Sequence, residues 1–215
     1  MKYWLGSMQL QFCCLVALLL LTPLFETPVV LLSLMSLLMI FLLGRDHSFR
    51  GLVLLAGGLF IAIGWLSVFV RVQPEWLMVS RAFGVIFMLL ILVQMLKKFV
   101  FSARISADAL FAAASCYLLF GVLWTLLYTM LEQWMPGSFV GLSDELNIAG
   151  ARWSELIYFS FVTITTLGHG DITPLSQAAR VLTVCEAITG VLYLGFIIAR
   201  LVGIYVTGQA ARSMD

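Results

Sequence analysis

The stretch Thr165-Thr166-Leu167-Gly168-His169-Gly170-Asp171 lies between an amphipathic segment rich in Phe and Thr and a long apolar run. Its glycines alternate with larger residues, and glycine tolerates backbone angles that other side chains penalise. A short extended strand of this kind can turn successive backbone carbonyls toward a common axis. Because a cation that leaves water needs oxygens in place of its hydration shell, this stretch predicts an ion filter.

The composition of the chain predicts a membrane protein. Hydrophobic residues make up 62% of the sequence and charged residues only 11%, whereas soluble domains carry about a quarter charged residues. The net charge of +1 gives no basic excess for a nucleic-acid partner. No Cys/His group has metal-ligand spacing. All four cysteines fall in apolar runs, where we expect packing residues rather than disulfides: Cys13, Cys14, Cys116 and Cys185.

Six apolar runs are candidates to cross the bilayer, which takes roughly 17–25 residues. They are residues 8–22, 28–44, 51–70, 76–96, 107–132 and 176–207. Between the fifth and sixth runs lies the amphipathic segment Arg152–Thr165, which is too short and polar to span. Irregular backbone survives at membrane depth only when it is buried in protein or lines a wet cavity. The predicted fold class is therefore an all-α integral membrane protein with six transmembrane helices and a re-entrant helix between the last two.

The basic residues predict the orientation. If the odd-numbered spans start inside, most basic residues fall on the cytoplasmic side: Lys2, Arg45, Arg50, Lys97, Lys98, Arg104 and Arg212. We therefore expect a multi-pass protein of a prokaryotic inner (plasma) membrane, with both termini cytoplasmic and the filter outside. A cleaved signal peptide is the alternative for the first run, but no small-x-small cleavage site follows it. After Gly203 the segment Ile204–Asp215 has about a dozen residues, so we expect no fused nucleotide- or calcium-binding domain.

With Tyr158–Ile164 before it and Ile172-Thr173-Pro174 after it, the filter stretch resembles the pore loop of the potassium channel superfamily. The resemblance covers roughly residues 107–207. It implies that potassium ions bind to backbone carbonyls, joined at the innermost site by a threonine hydroxyl, within Thr166, Leu167, Gly168, His169 and Gly170. It also implies support of the filter by Tyr158, Phe159, Val162 and Asp171, the last as an acid that hydrogen-bonds behind the strand. No cofactor is implied other than the potassium ions.

The filter departs from the family pattern at two positions. Where the family usually has Thr-Val-Gly-Tyr-Gly, this chain has Thr-Leu-Gly-His-Gly. The leucine is a mild change because its side chain faces away from the ion. His169 replaces a tyrosine that braces the filter, so the imidazole can brace it differently, loosen potassium-over-sodium discrimination or make it proton-sensitive. We expect a potassium-selective or potassium-preferring channel, with a weakly selective monovalent cation channel as the alternative.

One filter stretch cannot enclose an ion by itself. A ring of carbonyls needs four strands, and closed cyclic symmetry supplies them from identical chains. We therefore expect a homotetramer embedded in membrane lipid, although a hetero-oligomer or a non-conducting accessory subunit is also compatible with the sequence. A separate regulatory protein of unknown kind is a further possible partner. An intramembrane enzyme is disfavoured, because the spans lack Gly-x-Ser-x-Gly, a His/Cys pair and a pair of carboxylates.

Several residues near the filter are predicted to position or gate it. Ser154 or a neighbour should cap the pore helix, with Glu155 in its first turn. Glu186 is a carboxyl within an apolar helix, which makes it a gating candidate; its alternative is a protonated acid hydrogen-bonded to a neighbouring helix. Gly190 is either a hinge of the inner helix or a site of close packing. Arg200 either borders the inner gate or anchors the helix at the interface.

The chain is predicted to divide into a peripheral four-helix bundle, residues 1–104, and a pore domain, residues 105–215. The bundle resembles the sensor of six-helix channels but lacks its chemistry. Its fourth span has Arg81 near the outer end and Lys97-Lys98 at the inner end. A voltage sensor uses about three or four gating charges per subunit, each contributing roughly 2.3 kcal/mol per 100 mV. We therefore expect no strong voltage gating.

Overall fold

The computed structural model describes residues 5–20, 33–34, 36–37, 50–69, 74–100, 107–143 and 149–212. These ranges contain helices α1 (Leu5–Leu20), α2 (Arg50–Phe69), α3 (Pro74–Val100), α4 (Ala107–Trp134), α5 (Ala149–Ile164) and α6 (Gln177–Arg212), with strands β1 (Phe139–Val140) and β2 (Thr173–Pro174). Most of the predicted second span, 28–44, lies outside the described residues. Helices α1, α2, α3, α4 and α6 match the other five predicted spans, and α5 matches the re-entrant segment.

Three helices in the described ranges are long and apolar enough to cross a membrane. They contain the segments Met78–Lys97, Ala109–Trp134 and Gln177–Arg200, while Gly51–Leu66 is a shorter apolar helix. Their length follows from long runs of Leu, Ile, Val, Phe and Met in which charged residues are few. The chain is therefore an all-α membrane protein. That it crosses the membrane six times stays a prediction.

The peripheral part of the described chain is built around α3. Helix α3 packs along both α2 and α4, and α1 packs against α4. Its buried face carries Phe87, Met88 and Ile91, which meet Leu15 of α1 and Leu119 of α4 in one apolar cluster. Because lipid tails are as apolar as these side chains, shape complementarity rather than hydrophobicity must hold such helices together.

A two-stranded sheet ties the strand after the predicted filter to the end of α4. Strand β1 pairs with β2 in antiparallel register, with Phe139 opposite Pro174 and Val140 opposite Thr173. The carbonyl of Ser138, just before β1, accepts hydrogen bonds from the amides of Leu175 (2.8 Å) and Ser176 (3.2 Å). The filter stretch is thus held at both ends, by α5 before it and by this sheet after it.

Helix α6 is the least covered of the long helices. Only 17% of its membrane-crossing segment is buried, against 56% for α4 and 44% for α3. The side chains left exposed are large and apolar: Val181, Val184, Ile188, Val191, Leu192, Leu194, Phe196, Ile198 and Val202. The chain therefore leaves an apolar face of α6 available to lipid or to another protein surface.

Candidate ion-binding site

Helix α5, the predicted pore helix, ends in a Schellman motif that leads directly into the filter stretch. The amide of Thr166 donates to the carbonyl of Thr163 (2.9 Å), and the amide of Leu167 donates to the carbonyl of Val162 (2.9 Å). Thr166 adopts the left-handed conformation, with φ 60°, at the position where this motif usually has glycine. A β-branched residue is unfavourable there by about 1 kcal/mol or more. Such strain persists only where the surrounding structure enforces it.

The backbone of residues 166–170 alternates between left-handed and right-handed conformations. Positive φ angles occur at Thr166 (60°), Gly168 (59°) and Gly170 (81°), whereas Leu167 and His169 between them have none. Alternation between right- and left-handed conformations places successive amides on one side of a strand, so that the carbonyls lie on the other. A Cβ atom on Gly168 would meet no other atom within 4 Å. Glycine is therefore required there for its conformation, not for space.

Tyr158 braces the filter stretch from behind at two points. Its hydroxyl donates to Oδ2 of Asp171 (2.7 Å), and its ring stacks on that of His169 with centroids 6.3 Å apart and 5° between planes. The other carboxylate oxygen of Asp171 accepts from the amide of Ile172 (3.0 Å). The bond from Tyr158 holds the pKa of Asp171 below its ordinary value. The imidazole is thus braced through ring stacking rather than through a hydroxyl.

Phe159 supports a different part of the site. Its ring meets those of Tyr128 and Phe139, and the three centroids are 5.3 Å apart in each pair. Tyr128 belongs to α4 and Phe139 to β1, so this cluster joins the pore helix to the sheet that holds the strand after the filter. Tyr158 and Phe159 therefore both support the end of that stretch that leads into β2, Tyr158 directly and Phe159 through β1 and β2.

Glu186 is fully buried where α4, α5 and α6 meet. The hydroxyl of Tyr128 in α4 donates to its Oε2. Ser160 of α5 places its Oγ 2.5 Å from Oε1 and 2.8 Å from the carbonyl oxygen of Gly121. One interpretation of Glu186 from the sequence is an acid that is hydrogen-bonded to a neighbouring helix. In the structure Glu186 has hydrogen bonds of this kind, to α4 and to α5. Its partners were not predicted, because they lie 58 and 26 residues away along the chain.

Gly190 allows α6 to approach the end of the pore helix. A Cβ atom at this position would collide with the carbonyl oxygen of Ile164 and lie 2.8 Å from its Cγ1. The same carbonyl accepts a hydrogen bond from the hydroxyl of Tyr117 in α4 (3.0 Å), a contact that the sequence did not reveal. Gly190 therefore serves close packing in this structure. Helix α6 continues through it, and its use as a hinge stays a prediction.

The predicted cap of the pore helix is wrong. Helix α5 begins at Ala149, so that Ser154 and Glu155 lie in its second turn and its first turn contains no acidic residue. The favourable effect of an acid on the helix dipole is confined to the first turn. Glu155 instead accepts a hydrogen bond from the amide of Ser143 (3.1 Å). The boundary was misplaced because Ala149 and Gly150 carry no capping signal.

Two arginines join α3 to the pore part of the chain. Arg81 donates to the carbonyl of Thr129 in α4 (3.1 Å) and to the side chain of Gln133. The guanidinium of Arg200 in α6 lies over the ring of Phe99 in α3, 5.1 Å from its centroid. Both arginines thus have defined partners on a neighbouring helix. The role of Arg200 at an inner gate stays a prediction.

The comparisons with known proteins point to one superfamily. Residues 112–207 match a family model described as an ion channel. The chain is 34% identical over 61 residues to two-pore potassium channel 4 of Arabidopsis thaliana, which covers 28% of this chain and 22% of the relative. It is 30% identical over 67 residues to the potassium channel protein kcv of Paramecium bursaria Chlorella virus 1, which covers 29% of this chain and 68% of the relative.

A third relative is the probable potassium channel protein 2 of Methanocaldococcus jannaschii, 41% identical over 58 residues, or 26% of this chain and 17% of the relative. The chain spans about a fifth of the length of the plant relatives that it matches. No solved structure matches the chain. The family-model match falls on α4, α5, the filter stretch and α6, and the chain covers 68% of the viral channel. The chain belongs to the potassium channel superfamily, whose members are ion channels rather than enzymes.

Proposed function

We propose that this protein is a potassium-selective channel whose filter is formed by residues 166–170 of four chains. The observation that carries the proposal is the alternating hand of the backbone at Thr166, Gly168 and Gly170. This alternation can direct successive carbonyl oxygens to one side, where they replace the hydration shell of a cation. The threonine hydroxyl adds an oxygen at the inner end. No cofactor takes part, and potassium is the ion carried.

The proposed assembly is a homotetramer around a central pore. Residues 165–171 are exposed in a single chain, although a filter strand must face both the ion and its symmetry mates. Helix α6 leaves its apolar face uncovered, and a second copy of the chain would bury part of it by cyclic symmetry. Lipid covers the remaining apolar surface. In this proposal both termini are cytoplasmic and the filter opens toward the outer side of the plasma membrane.

The proposed preference for potassium rests on the support behind the filter. Tyr158 fixes Asp171 and His169 together, and the sheet of β1 and β2 holds the strand that follows. A filter held at both ends keeps its carbonyls at the spacing that suits one ion. A weakly selective cation channel is the second candidate, because His169 is braced by ring stacking and lacks the hydroxyl of the usual tyrosine.

The proposed channel is not strongly voltage-gated. In the described part of the fourth span, Lys97 and Lys98 lie at the inner end and Arg81 lies further out. Arg81 donates hydrogen bonds to Thr129 and Gln133 of α4. A gating charge must move through the field to contribute about 2.3 kcal/mol per 100 mV. A guanidinium held by a helix of the pore domain does not meet that requirement.

Ion flux into liposomes that contain only the purified chain tests the proposal. We expect potassium to enter, with sodium entering much more slowly under the same gradient. Equal rates for the two ions would establish the weakly selective channel instead. A protein that assembles as a tetramer but passes neither ion would be an accessory subunit, and the proposed function would be wrong.

A further inference from the structure

We propose that Glu186 is a neutral, protonated carboxylic acid that acts as a positioning residue, fixing the pore helix between the outer helix α4 and the inner helix α6. The inference rests on the proposed function in one respect, since the element that it positions is the filter at residues 166–170. The acid itself is inferred from its own hydrogen-bond geometry. Its role would be to set where the filter begins rather than to bind an ion.

A count of hydrogens in the buried cluster favours a proton on Glu186. Ser160 has one hydroxyl hydrogen but two close oxygens, the carbonyl of Gly121 at 2.8 Å and Oε1 of Glu186 at 2.5 Å. A carbonyl can only accept, so the serine hydrogen must go to Gly121 for that contact to be a hydrogen bond. The shorter contact then has a hydrogen only if the acid donates it.

The hydrogen bond at the second carboxyl oxygen, Oε2, is consistent with this assignment. The hydroxyl of Tyr128 donates to Oε2, which in a protonated acid is the carbonyl-type oxygen and can only accept. The neutral acid therefore satisfies Tyr128, Ser160 and Gly121 together. If the acid were ionised, Ser160 would have to donate to it. The contact with Gly121 would then bring two oxygens together without a hydrogen, which is unfavourable in a buried site.

Among the described residues, none of the groups that interact with Glu186 or its partners is a cation that could stabilise an ionised form. Its side chain has no exposed surface. The polar and titratable groups near it in the described chain are Tyr128 and Tyr117 from α4, Ser160 from α5 and Cys185 on its own helix. None of these is basic. Burial of a lone carboxylate is far more costly than burial of a neutral acid with its hydrogen bonds made.

The position of Ser160 explains why the acid matters for the filter. Ser160 lies two residues before Val162, whose carbonyl accepts the amides of Leu167 (2.9 Å) and Gly168 (3.3 Å). Any shift of the pore helix relative to α6 would carry this carbonyl with it. The bond from Glu186 therefore fixes the point from which the filter strand starts, and the bond from Tyr128 fixes α4 to the same group.

Three variants test the inference in liposomes. In Glu186→Gln the amide can donate to Ser160 and accept from Tyr128, so potassium flux and potassium-over-sodium selectivity should match those of the unmodified protein. Glu186→Ala leaves Tyr128 and Ser160 without a partner, and we expect flux to fall about tenfold or more in a protein that still assembles. The control is Thr189→Val, because in the described part of the chain the Thr189 hydroxyl donates to the carbonyl of Cys185 on its own helix; the flux of this variant should not change.

Infrared spectroscopy measures the protonation of Glu186 directly, which flux measurements alone do not. The carbonyl band of a protonated carboxylic acid should be present at neutral pH and absent from Glu186→Gln. If Glu186→Ala fails to assemble, Ser160→Ala takes its place, and it should lower flux by removing the link to the pore helix alone. The inference would be overturned by any of three results. These are loss of potassium flux in Glu186→Gln, normal flux in the alanine variants, and an infrared spectrum of Glu186→Gln that keeps the full carboxylic-acid band. If the unmodified protein passes no ions, the proposed function fails, while the band still decides the state of the acid.

Discussion

The peripheral helices and the pore helices of this chain are held together in different ways. In α1 to α3 the described core is an apolar cluster around Phe87 and Met88, and one polar contact within this part joins Ser80 Oγ to the carbonyl of Phe60 at 3.3 Å. In α4 to α6, hydroxyl groups connect one helix to the next throughout. Examples are Tyr193 bonded to the carbonyl of Ala113 at 2.7 Å and Tyr117 bonded to that of Ile164 at 3.0 Å.

This difference follows from what each part must hold. Regular helices satisfy their own backbone groups, so apolar packing is sufficient to keep them together in lipid. The pore part contains the short helix α5 and an irregular strand, which we propose lie at membrane depth, and their position must be specified by directional bonds. Substitutions in the pore part should therefore alter conduction, whereas substitutions in the peripheral part should alter stability alone.

The largest effect on conduction is expected from Gly168→Ala. Gly168 has φ 59°, a conformation in which a side chain is strained, so the substitution should abolish potassium flux in liposomes while the tetramer still forms. The matched control is Gly58→Ala in α2, where a Cβ atom also meets nothing within 4 Å and the backbone is helical. Equal flux in Gly168→Ala and Gly58→Ala would remove residues 166–170 from the ion path.

A smaller effect is expected from Tyr158→Phe, which removes the hydroxyl bonded to Asp171 but keeps the ring stacked on His169. Potassium-over-sodium selectivity should fall several-fold in reversal-potential measurements. The bond lowers the pKa of Asp171, so its contribution is complete above the ordinary carboxylate pKa near 4 and is lost only as the pH falls through the lowered value. The difference between Tyr158→Phe and the unmodified protein should therefore be the same at external pH 8 and 5.5. A difference that disappears at pH 5.5 would contradict this account of the brace.

Met88→Ala should separate stability from conduction. Met88 is fully buried in the peripheral core, and truncation of a buried methionine to alanine costs about 2–5 kcal/mol in soluble proteins. We expect a lower thermal unfolding temperature of the detergent-solubilised protein, with potassium-over-sodium selectivity unchanged in liposomes. Altered selectivity in the folded variant would show that the peripheral core also sets the geometry of the filter.

The smallest effect is expected from Arg81→Gln. Arg81 is bound to α4 through Thr129 and Gln133, so it should not move through the membrane field. Open probability should depend only weakly on voltage in the unmodified channel, and the variant should leave that dependence unchanged in planar-bilayer recordings. A steep dependence that becomes shallower in Arg81→Gln would show that this arginine carries gating charge.

The sequence was sufficient where the signal is local. The apolar runs predicted the helices that the structure describes. The glycines at 168 and 170 predicted the strand whose φ angles alternate in sign. Contacts between distant residues gave no such signal. The pairing of Glu186 with Tyr128 and Ser160 joins three helices, and nothing in one helix specifies which face of another it meets. The left-handed Thr166 was also missed, because threonine is rare in that conformation.

The location of bound ions tests the central claim most directly. Rubidium is similar to potassium in charge and size and scatters X-rays anomalously, so crystals of the purified protein grown with rubidium would show where the ions lie. The account predicts anomalous peaks on a four-fold axis, at the level of the carbonyls from Thr166 to His169. Peaks away from that axis, or no peak beside a well-ordered filter strand, would contradict it.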